Sequence, residues 1–160
     1  ADVIYCGMII SGALGEADRA GAARRRIAYH PDPSVTPTAG HILPTLLRSN
    51  PISTQTLVAR RAALDEAGLF DTAMKSLVDW DLAIRLAARG PIAFVDEPLV
   101  VQRFAANSVT RDTARRVETW IYLLEKHGSL FRADRDAHVR HLVRIAGGLG
   151  RLGQADRAAP

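Results

Sequence analysis

The sequence predicts an α/β fold followed by a helical hairpin, and three observations carry that reading. Over residues 1–110, short apolar runs rich in β-branched residues alternate with segments of helical periodicity. Residues 111–160 show helical periodicity alone. Residues 76–89 read Ser-Leu-Val-Asp-Trp-Asp-Leu-Ala-Ile-Arg-Leu-Ala-Ala-Arg. This is an acidic helix entry with a tryptophan, followed by Leu82, Ile84, Leu86 and Ala87 running into a core.

Residues 2–11 predict a buried strand carrying Val3, Ile4, Tyr5, Met8, Ile9 and Ile10. It opens without a cap, turn or polar leader, so further material of the same domain is expected before Ala1. Residues 12–26 are rich in Gly and Ala and end in Arg24-Arg25-Arg26. They predict a loop returning to a short strand at 26–29. Residues 30–37 hold three prolines and are expected to be irregular. Thr38 is a candidate cap for a helix over about 40–48, with Ile42, Leu43, Leu46 and Leu47 inward and Pro44 near its first turn.

Asn50-Pro51 marks a turn. Residues 52–59 predict a strand, with Thr54, Thr56 and Val58 on one side and Gln55 and Leu57 on the other. Residues 60–67 predict a short helix stopped by Gly68. Leu69-Phe70-Asp71 begins the loop leading to the 76–89 helix, which Gly90-Pro91 stops. A strand is expected at 92–95, an extended segment at 99–104 after Asp96-Glu97-Pro98, and a turn-rich loop at 105–110. Thr110 is a candidate cap for a helix to about 127, with Val117, Trp120, Ile121 and Leu124 on one face and Gly128 closing it. A second helix over about 133–152 carries Val139, Leu142, Ile145, Leu149 and Leu152, and Gly147, Gly148 and Gly150 weaken its last turns. Two antiparallel helices here also fit the start of a longer helical array.

The chain has 160 residues, enough for one domain with a core. Its 48% hydrophobic and 24% charged residues are ordinary for a globular protein. No run approaches the ~18 apolar residues of a membrane span, and the first residues lack the charged start and cleavage signal of a secretory peptide. The single cysteine, Cys6, forms no internal disulfide, which fits a reducing compartment, and in its apolar strand it is expected to be buried and inert. A net charge of +4 permits an anionic partner without choosing one. The basic residues are scattered and do not interleave with the few aromatics, so no nucleic-acid partner is expected.

Four pieces occur in order. Asn50-Pro51-Ile52-Ser53-Thr54-Gln55-Thr56-Leu57-Val58-Ala59-Arg60-Arg61-Ala62-Ala63-Leu64 precedes Ala67-Gly68-Leu69-Phe70-Asp71. Asp79-Trp80-Asp81-Leu82-Ala83-Ile84-Arg85-Leu86-Ala87 follows, and then Phe94-Val95-Asp96-Glu97-Pro98-Leu99-Val100. The set resembles the C-terminal half of a family 2 glycosyltransferase of the GT-A fold, over residues 2–110. The resemblance implies a partial GT-A (Rossmann-like) domain lacking its nucleotide-binding N-terminal half, with residues 1–110 on the acceptor side and 111–160 as a helical tail. It implies transfer of a sugar from a nucleotide-sugar donor to a glycan or lipid-linked acceptor, with inversion. Asp79 would be the general base that takes the acceptor hydroxyl's proton as the oxygen attacks the anomeric carbon. Ser53, Thr54, Gln55 and Trp80 would bind substrate.

The resemblance also implies a divalent metal, Mg or Mn, whose main ligands are not in this chain. Cytoplasmic work in polysaccharide assembly follows from it, with peripheral contact at the inner face of a membrane. Two positions depart from the family pattern. Val78 stands where Glu or Gln often precedes the Asp, and Ala105 stands where relatives often have His. This fragment alone is expected to be inactive.

The same residues admit plainer readings. Ser76 and Asp79 have capping-box spacing, and an acidic residue there suits the helix dipole. Asp81 is expected to pair with Arg85 as a solvated i,i+4 contact. Trp80 fits core or cleft wall as well as a sugar platform, and Ser53, Thr54 and Gln55 fit the polar face of a strand. Asp79-Trp80-Asp81 and Asp134-Arg135-Asp136 match Asp-x-Asp, but residues two apart on a helix diverge by roughly 200° and are not expected to share an ion. His138 and His141, three apart, lack a third ligand. The Arg-rich last helix is expected to pack on the domain rather than lie on a membrane. A non-catalytic binding or scaffold module with a partner-binding helical tail is the alternative function.

Overall fold

A computed structural model describes residues 1–17, 23–32, 34, 35, 37–103 and 112–158. The fold is mixed α/β, with a small open sheet and six α-helices among the described residues. The sheet is built around β1 (Val3–Ala17). Parallel β4 (Ala93–Arg103) runs beside residues 4–11 of β1. The opposite edge of β1 is shared by two antiparallel strands. β3 (Leu57–Ala59) covers residues 3–5, and β2 (Ala23–His30) covers 8–17. The expected loop at 12–26 is therefore largely strand, and Arg24, Arg25 and Arg26 lie in β2. Antiparallel pairing satisfies the backbone groups that a loop would leave to water.

β4 is one strand where two extended pieces were expected. Asp96, Glu97 and Leu99 are taken up in register shifts, and Pro98, which has no N–H to give, falls within them. Tyr29 reaches across β1 and donates its hydroxyl to Asp96 Oδ1 at 2.5 Å. Its path passes directly over Gly7, where a Cβ would lie 2.2 Å from the Tyr29 hydroxyl. Cys6 is half-buried and not paired in a disulfide.

Val3, Tyr5 and Met8 point inward from the sheet. Beneath them lie α1 (Leu43–Arg48), α2 (Arg61–Ala67) and α3 (Val78–Ala87). α1 begins after Ile42, with Pro44 in its first turn, where the missing N–H costs nothing. Thr38 does not cap it; the Thr38 carbonyl accepts from Tyr5 Oη at 2.6 Å. α2 ends at Gly68, whose φ of 86° suits a residue without a Cβ. α3 is buried nearly all round, with Trp80, Leu82, Ala83, Ile84, Leu86 and Ala87 in the core.

The C-terminal helices are α4 (Thr113–Lys126), α5 (Gly128–Ala133) and α6 (Arg135–Arg151). α4 ends before Gly128, as expected, and Gly128 also opens the short α5; Asp134 caps α6 by accepting from the Ala137 amide at 3.0 Å. Asp112 caps α4 through the Arg115 amide at 2.9 Å. The expected cap Thr110, Ala105 and the 105–110 loop lie outside the described residues.

α4–α6 share one hydrophobic cluster with α1, α3 and the sheet, so they pack on the domain. Of the expected face of α6, Ile145 and Leu149 are inward and Leu152 is partly buried, whereas a rotation towards His141, itself buried, leaves Val139 and Leu142 outside. Gly148 sets this rotation, because a Cβ there would lie 2.3 Å from Val117 Cγ2 on α4. No helix among the described residues is long and apolar enough to cross a membrane.

Two glycines of one helix thus predict opposite effects. Gly148→Ala is expected to destabilise by about 1–3 kcal/mol, since packing strain outweighs the gain in helix propensity. Gly150→Ala, with nothing within 4 Å of its Cβ position, is expected to stabilise by up to about 1 kcal/mol. Urea denaturation of both variants checks the sign.

Candidate functional site: a cleft around Asp79

α3 begins beside a cleft of about 550 Å³ whose walls come from β1, the 49–55 segment, α3, α4 and α6. Asp79, Trp80, Ser53 and Gln55 line it, as do His30, Asn50, Arg116, Trp120 and Arg144. Thr54 is not on the wall. It instead holds the carboxylate, its amide 3.3 Å and its hydroxyl 3.5 Å from Asp79 Oδ2.

The local sequence explains this placement. Residues 53–56 form a turn where a strand was expected. The Thr56 amide and hydroxyl both donate to the Ser53 carbonyl, at 3.0 Å each. A hydroxyl-stabilised turn competes with extended backbone, and here it wins. The turn directs the Thr54 amide to Asp79. Asn50 accepts from the Ile52 amide at 3.1 Å and donates Nδ2 to Asp79 Oδ1 at 3.3 Å.

Asp79 Oδ1 also accepts from the Trp80 amide at 2.8 Å, at the N-terminus of α3. No capping box forms. The residue before α3 is Leu77, in the left-handed region at φ 54°, and the Ser76 hydroxyl lies 2.8 Å from that of Thr119 on α4. A leucine there is strained by about 1–2 kcal/mol. Burial raises the Asp79 pKa above the usual carboxylate value, and the donors from Trp80 and Thr54 offset part of that rise. His30, beside the Pro51 carbonyl, is held below its ordinary pKa by burial.

Trp80 is both core and cleft wall. It is buried, with Nε1 donating to the Leu46 carbonyl at 2.6 Å, and its ring edges the cleft. Asp81 departs from expectation. It is 0% exposed rather than solvated, and it binds more than Arg85. Arg85 donates to Oδ2 at 2.7 and 2.9 Å, while Lys126 Nζ at 2.9 Å and His127 Nε2 at 2.8 Å meet Oδ1. Burial alone would raise its pKa, but His127, Lys126 and Arg85 outweigh burial and hold it well below the carboxylate range.

Asp79 and Asp81 thus face different partners and do not form a metal pair. Asp134 and Asp136 bind Arg48 at 2.7 and 3.2 Å. His141 is a core residue, its Nε2 2.8 Å from the Trp120 carbonyl, with its pKa lowered to about 4 by burial. No group of three His, Cys, Asp or Glu among the described residues converges on an ion position.

Sequence reasoning missed His30, Asn50, Arg116 and Arg144 as cleft residues. One local signal existed. Arg116 and Trp120 are four apart on a helix, the spacing that stacks a guanidinium on an indole, and they lie 5.0 Å apart. Comparison with protein-family models, curated proteins and solved structures returns no match.

The two carboxylates predict opposite responses. Asp81 has a depressed folded pKa, so its stabilisation is present above its unfolded pKa and is lost as pH falls below about 4. Asp81→Asn at neutral pH is expected to cost about 3–5 kcal/mol, because it leaves Arg85, Lys126 and His127 without the buried anion on which they converge. Asp79 has a raised folded pKa, so its contribution falls as pH rises through that value. Asp79→Asn is expected to keep or raise the melting temperature at pH 7. Thermal melts of both variants across pH 3–8 check the signs.

Proposed function

We propose that this chain forms the acceptor side of an inverting glycosyltransferase, with Asp79 as the general base. The observation that carries the reading is a part-buried carboxylate with a raised pKa on the wall of a ligand-sized cleft. The ordered motifs from Asn50 to Val100 add the family resemblance, and a partial GT-A fold is the architecture they imply. A base works best when its pKa approaches the operating pH, and burial moves Asp79 in that direction. Asn50 and Thr54 fix the carboxylate while its open side faces the cleft. An acceptor hydroxyl lying there would give its proton to Asp79 as its oxygen attacks the anomeric carbon of a nucleotide-sugar and the nucleotide departs. Ser53 and Gln55 supply hydrogen-bonding groups for sugar hydroxyls on the same wall, and Trp80 supplies an apolar edge.

A second reading, a non-catalytic binding module, draws on the outer face of the sheet. There Ile27 is 73% and Val58 66% exposed, with Leu99 and Val101 also exposed.

The test is sugar transfer by the natural full-length protein carrying Asp79→Asn. Turnover is expected to fall about 10²–10⁴-fold with donor binding kept, and the wild-type rate to fall on acidification as Asp79 protonates. Undiminished turnover removes Asp79 from the role, and absence of transfer in the wild type favours the binding module.

A further inference from the structure

The side of the cleft formed by α4 and α6 carries positive charge. Arg116 on α4 and Arg144 on α6 both line it. The Arg116 guanidinium stacks 5.0 Å from the centre of the Trp120 ring. That of Arg144 lies 5.1 Å from the Trp80 ring and 5.8 Å from Trp120. Two indoles therefore hold two cations in place. Arg144 is tethered further, because Nη2 donates to the Arg48 carbonyl at 3.0 Å.

Each guanidinium keeps an unused donor. Arg116 Nε and Arg144 Nη1 are buried and have no hydrogen-bond partner. Among the described residues neither arginine forms an ion pair, although Arg115 and Arg140, next to them on the same helices, both do. The cleft's carboxylate is occupied elsewhere, by Asn50, Thr54 and the Trp80 amide. Two part-buried like charges with unmet donors are unfavourable in isolation. A dianion in the cleft would supply the missing counter-charge, and the rigid stacked fork of arginine suits phosphoryl oxygens. Burial and the neighbouring Arg116 and Arg140 charges push the Arg144 pKa down, which fits a cation short of a counter-charge.

We propose that Arg116 and Arg144 seat a phosphoryl group, the mono- or diphosphate of a small soluble molecule, in this cleft. The assignment rests on the cleft of the preceding section being a ligand site, but not on Asp79 acting as a base. It gives the C-terminal helices a binding role.

The chain provides its own reporter, since Trp80 and Trp120 are its only two tryptophans and both touch these arginines. Titration with pyrophosphate at low ionic strength is expected to change tryptophan fluorescence saturably, with sodium chloride of matched ionic strength giving no such change. Arg116→Gln and Arg144→Gln are each expected to weaken that binding about tenfold or more. Arg144→Lys, which keeps the charge without the fork, is expected to weaken it too. Asp79→Asn is expected to bind pyrophosphate at least as well as the wild type. Binding by Asp79→Asn together with undiminished transfer would refute the base and leave the anion seat standing.

Melting of the wild-type protein gives a reading independent of any variant, since pyrophosphate bound only to the folded state raises its melting temperature. A flat titration and a flat melt overturn the proposal. So does equal binding by the double glutamine variant, folded by circular dichroism. Binding only to phosphatidylcholine vesicles containing phosphatidic acid, and not to pyrophosphate, also overturns it in favour of a lipid surface.

Discussion

The Asp81 carboxylate is the contact on which the rest of the structure hangs. It lies in the first turn of the most buried helix and faces away from the cleft. Arg85, which it grips, reaches the carbonyls of Ala67 and Leu69 and so fixes the chain leaving α2. Lys126, which it also grips, meets Asp71 at 2.5 Å, and His127 joins α4 to α5. One buried anion thus connects three segments distant in sequence. Buried charge is tolerated where every lone pair has a donor, and removing a single partner is what makes it costly. With α3 pinned from behind, Asp79 and Trp80 on the neighbouring side of the same turn are held at the cleft.

The two sides of that turn are built on opposite principles. Behind it, Asp81 is over-supplied with cations and its ionised form is favoured. In front, Asp79 has only neutral donors and burial works against its charge, while Arg116 and Arg144 have cations without anions. Leu77 adds a strained backbone between the two. Unbalanced groups and strain concentrate where a protein meets a ligand, and the rest of the fold carries their cost.

Much of the fold was legible in local pattern. Gly68 marked the end of α2 because a positive φ is a local demand, and the burial of α3 followed from its apolar sequence. Asp79 could be singled out from its neighbours in the chain. What escaped was decided by partners far away. The spacing of Asp81 and Arg85 was visible, but Lys126 and His127 are more than forty positions off and turned a surface pair into a buried cluster. Ser76 had the spacing of a cap, yet its hydroxyl went to Thr119. The alternation of 52–59 suggested a strand, and hydroxyl turns at Ser53 and Thr56 broke it. The apolar stripe of α6 gave Ile145 and Leu149 correctly, but not His141, whose ring meets the Trp120 carbonyl in place of the exposed Val139 and Leu142.

The tether from Arg144 to the Arg48 carbonyl has a consequence for how this protein can vary. It makes α6 a buttress of the helix that carries Trp80's own acceptor, Leu46. The C-terminal helices are then not a detachable module that could be exchanged or trimmed without touching the cleft. A duplication or fusion that separated residues 1–110 from 111–160 would divide one pocket into two incomplete surfaces. Change in the last helix is thereby coupled, through the shared wall of that cleft, to change around Asp79.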